Sequence, residues 1–136
     1  AGAKHQAEGD AFLAKNKTVT GVHVTPSGLQ YMVLRQGAGP RPMPTDHVRV
    51  NYRGTLLDGS VFDSSYDRGE AAEFALNQVI RGWTEGVGLM PVGSKYRFWI
   101  PANLGYGAKG TPGGPIPPNA TLSFDVELMA ILPPAG

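Results

Sequence analysis

From Thr25 onward the chain alternates apolar and polar positions with a period of two. Leu29, Tyr31 and Val33 alternate with Gln30, Met32 and Leu34. Val48, Val50 and Tyr52 point one way, against Arg49, Asn51 and Arg53. Tyr96, Phe98 and Ile100 alternate with Lys95, Arg97 and Trp99. Leu122, Phe124, Val126 and Leu128 alternate with Ser123, Asp125 and Glu127. Successive side chains of a strand leave opposite faces, so each run predicts a strand with one dry and one wet face. Such strands build an antiparallel sheet covered on one side. The Asp58-Gly59 pair predicts a turn. One internal segment suits the cover. Arg81 to Leu89 is about two helical turns long and sets Trp83 and Val87 on one face. Gly82, Gly86 and Gly88 weaken a free helix but permit close approach to a sheet. The expected fold is α+β, a curved antiparallel sheet wrapped around one short helix.

Ahead of the strands, Lys4 to Asn16 is polar and Ala-rich, with Ala7, Ala11, Phe12 and Ala14 toward one side. It predicts a short helix, weakened by Gly9 and too short to persist alone. It reads as the end of a longer helix. The division expected is a helical and linker segment over residues 1–24, followed by one domain over residues 25–136. Glycine and proline cluster at Gly37–Pro44 and Gly105–Pro118, which predicts loops between the strands. A chain that starts at Ala1, with neither Met nor an apolar leader, reads as a mature or trimmed product.

Composition narrows the chemistry. A chain of 136 residues, 41% hydrophobic and 17% charged, has the make-up of one folded domain. A net charge of +1 without a basic block offers nothing to a nucleic-acid backbone. No apolar run approaches the ~20 residues of a membrane span. The absence of cysteine removes disulfides, thiolate nucleophiles and Cys-bound zinc. His5, His23 and His47 are scattered, so no metal is expected. The GxSxG nucleophile motif is absent. Gly105, Gly107 and Gly110 lack the context of a phosphate loop. Asp63 and Asp67 could be paired as in a glycosidase. However, Asp63 follows Phe62 in an apolar-flanked strand and reads better as a lone buried carboxylate tied to an arginine. What remains is aromatic and aliphatic: Tyr52, Phe62, Val79, Ile80, Trp83, Tyr106, Ile116 and Phe124. These residues either fill the core or converge on a binding hollow, and spacing alone leaves both open.

Four stretches, "VNYRGTLLDGSVFDSSYDRG", "QVIRGWTEGVGLMPVGSK", "LGYGAKG" and "IPPNATLSFDVEL", together resemble an FKBP-type peptidyl-prolyl cis-trans isomerase domain. The resemblance covers roughly Leu29 to Leu132. "GWTEG", "LMPVG", "IPPNATL" and "TPSGLQYMVLRQG" resemble the bacterial Mip-like branch in particular. The resemblance implies that Trp83 is the floor of a proline pocket, with Tyr52, Phe62, Val79, Ile80, Tyr106 and Phe124 as walls. It implies the Ile80 N–H and the Tyr106 hydroxyl as donors to substrate. It also implies that Asp63 is grouped with Tyr52 and Arg68, and that Ile116 lies on a loop lipping the pocket. The chain departs from the family at Ala72, where eukaryotic members often carry an aromatic, and at Thr111, where they often carry a histidine. The "TPGGPIPP" loop is one residue longer than usual.

The activity implied is rotation about Xaa-Pro bonds. That rotation faces a barrier of ~18–20 kcal/mol and takes tens to hundreds of seconds unaided. No bond breaks, so neither cofactor nor nucleophile is required. A gain of about 10⁴ asks for about 5.5 kcal/mol of preferential transition-state binding. Two roles stay open for Asp63: polarising the twisted carbonyl, or bracing Tyr52 and Arg68. A module that holds proline-containing or apolar segments as a chaperone is the alternative function. The expected partners are proline-containing polypeptides and the macrolides tacrolimus and rapamycin. The chain as given is expected to be monomeric, with a parent dimerised through a longer N-terminal helix. The Mip-like resemblance places it in the periplasm or at the cell exterior. Trp99, on the wet face, is expected to pack against the N-terminal segment, with a protein-contact patch as the alternative.

Overall fold

A computed structural model describes residues 2–132; Ala1 and the last residues of the domain expected over 25–136 lie outside the described residues. The period-two runs form one antiparallel sheet. In chain order the elements are helix α1 (Gly2–Asn16), β1 (His23–Val24), β2 (Gln30–Arg35), β3 (His47–Leu56), β4 (Val61–Ser64), α2 (Ser65–Arg68), β5 (Ala72–Ala75), α3 (Arg81–Val87), β6 (Lys95–Ile100) and β7 (Leu122–Leu132). Single 3₁₀ turns occupy Leu76–Gln78, Ala102–Leu104 and Gly107–Lys109. The strand order is β1-β2-β6-β7-β3-β4, with β5 also paired to β3.

Strand β3 is the spine. Along one edge it pairs with β7 from His47↔Leu132 to Leu56↔Leu122. Its other edge is shared, β5 taking Val50 back to His47 and β4 taking Arg53 to Thr55. Between these partners the Tyr52 N–H has no strand to bond. The Ser65 hydroxyl accepts from it at 2.8 Å and donates to the Asn51 side chain at 2.9 Å. Ser65 is fully buried, so one hydroxyl satisfies a strand amide that would otherwise be stranded.

The alternation sorts the faces as expected in β3, β7 and most of β6, but not in β2, where Gln30 is buried and Val33 exposed, nor at Trp99, which is buried on the face expected to be wet. Val48, Val50, Tyr52, Phe98, Ile100, Leu122, Phe124, Val126 and Leu128 are buried beneath α3, whose Trp83 and Val87 are buried against them. The outer face carries the row Arg53↔Asp125↔Arg97, in which Arg97 grips Asp125 at 2.7 and 3.1 Å. The α3 glycines set the spacing. A Cβ on Gly82 would sit 2.7 Å from Ile100, and one on Gly86 would sit 2.7 Å from the Phe98 ring.

The N-terminal helix docks by a different side than its composition predicts. Ala7, Ala11 and Ala14 are exposed and Phe12 is half-buried, while Gly9 and Asn16 are buried. The reason is that the surface α1 meets is polar. Asn16 donates to the Gln30 side chain at 2.9 Å, and Gln30 donates to the Leu13 carbonyl at 2.9 Å. Gly9 lies against Thr121, where a Cβ would collide. The glycine that looks like a flaw is the point of closest approach. Trp99, cross-strand partner of Gln30, is buried beside this junction.

In an unconstrained helix Gly→Ala stabilises by about 1 kcal/mol. In α3 the sign is expected to reverse. Gly86→Ala should cost about 1–3 kcal/mol, because the added methyl overpacks Phe98. Denaturant unfolding of the two proteins measures the difference.

Candidate active site

Trp83 lies in the first turn of α3, with its ring edge-on to three others. Ring centroids are 5.2 Å from Tyr52, 5.3 Å from Phe124 and 5.5 Å from Phe74, with interplanar angles of 84 to 86°. Edge-to-face packing of this kind is worth about 0.5–1.5 kcal/mol per pair beyond burial. The Trp83 indole N–H is buried without a hydrogen-bond acceptor. Above the indole opens a hollow of about 450 Å³. It is larger than the hollow of about 120 Å³ beneath α1 or the one of about 350 Å³ on the outer sheet face.

Each wall has a local cause. Tyr52 and Phe124 project from β3 and β7 as inward members of their alternation. Phe62 and Asp63 are consecutive on β4, yet both line the hollow. A regular strand would send them to opposite faces. Here Gly54 pairs with Asp63 and Thr55 with Val61, so Phe62 is the extra residue of a bulge that turns its ring inward. The Phe62 ring stands at 89° to Phe124, with centroids 5.3 Å apart. Gly54 clears the space for both, since a Cβ there would lie 2.5 Å from Phe62 and 2.7 Å from Phe124.

The mouth is formed by Gln78, Val79 and Ile80 on one side and Tyr106 on the other. Ile80 ends an extended link and caps α3, its carbonyl accepting from the N–H groups of Trp83 at 2.9 Å and Thr84 at 3.1 Å. The Ile80 N–H makes no hydrogen bond among the described residues. Tyr106 is 41% exposed, and its hydroxyl makes no hydrogen bond among the described residues. Two donors without a protein partner among the described residues therefore flank the hollow.

Polar chemistry is concentrated at one wall. The Asp63 carboxylate accepts from the Tyr52 hydroxyl and is gripped by the Arg68 guanidinium, each through its own oxygen. Arg68 also donates to the Tyr52 oxygen at 3.2 Å and lies 5.7 Å from the ring centroid. Arg68 comes from α2, a single turn capped by Ser64, whose hydroxyl accepts from the Asp67 N–H at 3.2 Å. Desolvation acts to raise the Asp63 carboxyl, but the hydrogen bonds from Tyr52 and Arg68 and the guanidinium charge outweigh it, so the net shift is downward. Tyr52 is raised, by burial first and then by its bond to the carboxylate.

Of the residues singled out from sequence, Tyr52, Phe62, Asp63, Val79, Ile80, Trp83, Tyr106 and Phe124 all line the hollow. Arg68 stands behind it, reaching in only through Asp63 and Tyr52. Ile116 is not among the lining residues. It is 4% exposed and packed into the core. Thr111 folds the loop back on itself: its N–H donates to the Ile116 carbonyl and its hydroxyl accepts from the Ile116 N–H, both at 2.9 Å. Ile116 thus sits on a loop closed by Thr111, with its side chain packed into the core. Phe74 and Gln78 were not singled out. Phe74 shares a face of β5 with Ala72, and the period of two was the signal available for it; its ring supplies an aromatic wall two residues past the alanine.

Comparison with known proteins bears on this site. A family model described as FKBP-type peptidyl-prolyl cis-trans isomerase matches residues 39–129, and one described as the domain amino terminal to that isomerase matches residues 1–33. The FKBP-type peptidyl-prolyl cis-trans isomerase FkpA of Aeromonas hydrophila is 58% identical over 133 residues, covering 98% of this chain and 49% of that protein. Outer membrane protein MIP of Legionella longbeachae is 48% identical, covering 94% of this chain and 54% of its own length. The chain thus spans about half the length of these relatives. The crystal structure of FkpA from Escherichia coli superposes with a TM-score of 0.92 at 46% identity, covering 97% of this chain and 61% of that one.

The Asp63 group has a definite pH signature. Its folded pKa lies below the unfolded value of about 3.9, so its stabilisation is fully present above about pH 4 and is lost as pH falls through the folded value. An NMR titration of the Asp63 carboxyl should give a midpoint below that of a free aspartate. Tyr52→Phe and Arg68→Met should each move the midpoint upward.

Proposed function

The chain belongs to the FKBP-type peptidyl-prolyl cis-trans isomerase family, and from that premise we propose that it accelerates rotation about Xaa-Pro bonds by seating the proline ring on Trp83. The observation that carries this reading is the hollow itself: four aromatic walls from four strands, a tryptophan floor, and two unpartnered donors at its mouth. A planar amide has more charge separation than a twisted one. A dry aromatic hollow therefore destabilises the planar amide relative to water and favours the twisted state. The rings of Trp83, Phe62, Phe74 and Phe124 hold the proline. The Ile80 N–H and the Tyr106 hydroxyl hold flanking carbonyls in a turn, which converts binding energy into orientation.

Asp63 acts in this scheme as a brace. Both carboxylate oxygens are already engaged by Tyr52 and Arg68, and the guanidinium neutralises the charge that would otherwise polarise a carbonyl. Its task is to fix the Tyr52 ring, which stands edge-on to the floor. Ile116 acts through the loop it anchors.

The substrates are proline-containing polypeptides, and the same hollow is the site for tacrolimus and rapamycin. We assign the isomerase unit to residues 25–136 and a helical segment to residues 1–24, with the longer parent dimerising through an extended N-terminal helix. The location we propose is the periplasm or the cell exterior. The Legionella relative, named as an outer membrane protein, supports it. No described helix is long and apolar enough to cross a membrane.

A panel of Xaa-Pro tetrapeptides, followed with and without either macrolide, tests the proposal. Macrolide-sensitive acceleration is expected. Trp83→Leu should lower kcat/KM by about tenfold or more, the loss of at least 1.4 kcal/mol of transition-state binding. Tyr106→Phe should lower it less, by the worth of one hydrogen bond of about 1 kcal/mol. Macrolide binding without acceleration would overturn catalysis and leave a holding module.

A further inference from the structure

Five residues, Leu76 to Ile80, connect β5 to α3 and supply one side of the mouth. Their two ends are fixed differently. Ile80 is held by the start of α3, its carbonyl accepting from Trp83 and Thr84. Leu76 is held at three points. Its side chain is fully buried, its N–H donates to the Asp46 carbonyl at 2.9 Å, and its carbonyl accepts from the Thr84 hydroxyl at 2.6 Å. Thr84 therefore touches both ends of the segment: its N–H reaches Ile80 and its hydroxyl reaches Leu76. Asn77 and Gln78, between these ties, are exposed and form a single 3₁₀ turn with Leu76. A five-residue span closed at both ends has few conformations left, so the strap sets where the Ile80 N–H points.

We propose that Thr84 is a positioning residue of the isomerase site: its side-chain hydroxyl straps the Leu76–Ile80 connection to α3 and so presents the Ile80 N–H to the substrate carbonyl. This rests on the isomerase reading above. Thr84 does not line the hollow, so it acts through Ile80 and not on the substrate. An unstrapped connection would let the N–H turn toward solvent, where water satisfies it. Substrate would then have to reorder the segment on binding, which weakens binding of ground and transition states alike.

The test is a set of four side chains at this position: the native threonine, Thr84→Ser, Thr84→Val and Thr84→Ala. Serine keeps the hydroxyl and loses the methyl, valine does the reverse, and alanine loses both. Activity should follow the hydroxyl. Thr84→Ser is expected within about twofold of the native protein. Thr84→Val and Thr84→Ala should both show KM raised about tenfold with kcat little changed, the worth of one oriented hydrogen bond. In the same two variants the Ile80 amide should exchange with deuterium faster in the substrate-bound state. If either valine or alanine fails to fold, the other carries the comparison. Equal activity in all four, or activity that follows the methyl, overturns the proposal. A fall in kcat and KM with melting temperature, unrescued by serine, also overturns it. Failure of the underlying reading would look different, since the native protein itself would then not accelerate isomerisation.

Discussion

Everything at the site depends on how closely α3 can approach the sheet. Gly82 and Gly86 leave room for the Ile100 and Phe98 side chains where any Cβ would intrude. That contact fixes the height of Trp83 above β3 and β7, and Trp83 in turn fixes the depth of the hollow. A helix of Arg81–Val87 would not survive alone in water. It exists because its buried face completes the core, and its low intrinsic propensity is the consequence of the glycines that let it dock.

The walls then follow from irregularities in β-structure. Strand β3 changes partner beside Tyr52, and the Ser65 hydroxyl fills the gap. A bulge at Phe62 brings two consecutive β4 residues to the same hollow, one as an apolar wall and one as the carboxylate partner of Tyr52 and Arg68. Gly54 is the empty position between two rings. Each feature breaks the strict alternation of a strand, and each break re-aims a side chain toward the site. The ordinary parts of the sheet make the core, and the exceptions make the pocket.

The same logic sets apart the two donors at the mouth, one from the backbone and one a side-chain hydroxyl. Ile80 is half-buried, and its N–H, unpartnered among the described residues, stands at the mouth of the hollow. It is kept from pairing because the link before α3 is extended at Val79 and Ile80 and strapped at Leu76. The N-terminal helix obeys a different rule. It docks through amides and a glycine, so its alanines stay outside.

By itself the sequence determined the four longer strands, the wet and dry faces of most of them and the single covering helix, because period and residue size are local properties; it left open whether the aromatic set fills the core or lines a hollow. Tyr52, Trp83 and Phe124 could be placed on their elements, and the family motifs linked Phe62, Asp63, Arg68, Ile80 and Tyr106 to them. Only the tertiary structure decided the rest. It packed Ile116 into the core and closed its loop with hydrogen bonds to Thr111 that no period announces. It brought Phe74 into the wall, and it docked α1 by its polar side. These outcomes rest on hydrogen bonds and close approaches between residues far apart in the chain, and such partners become visible only once the fold has brought them together.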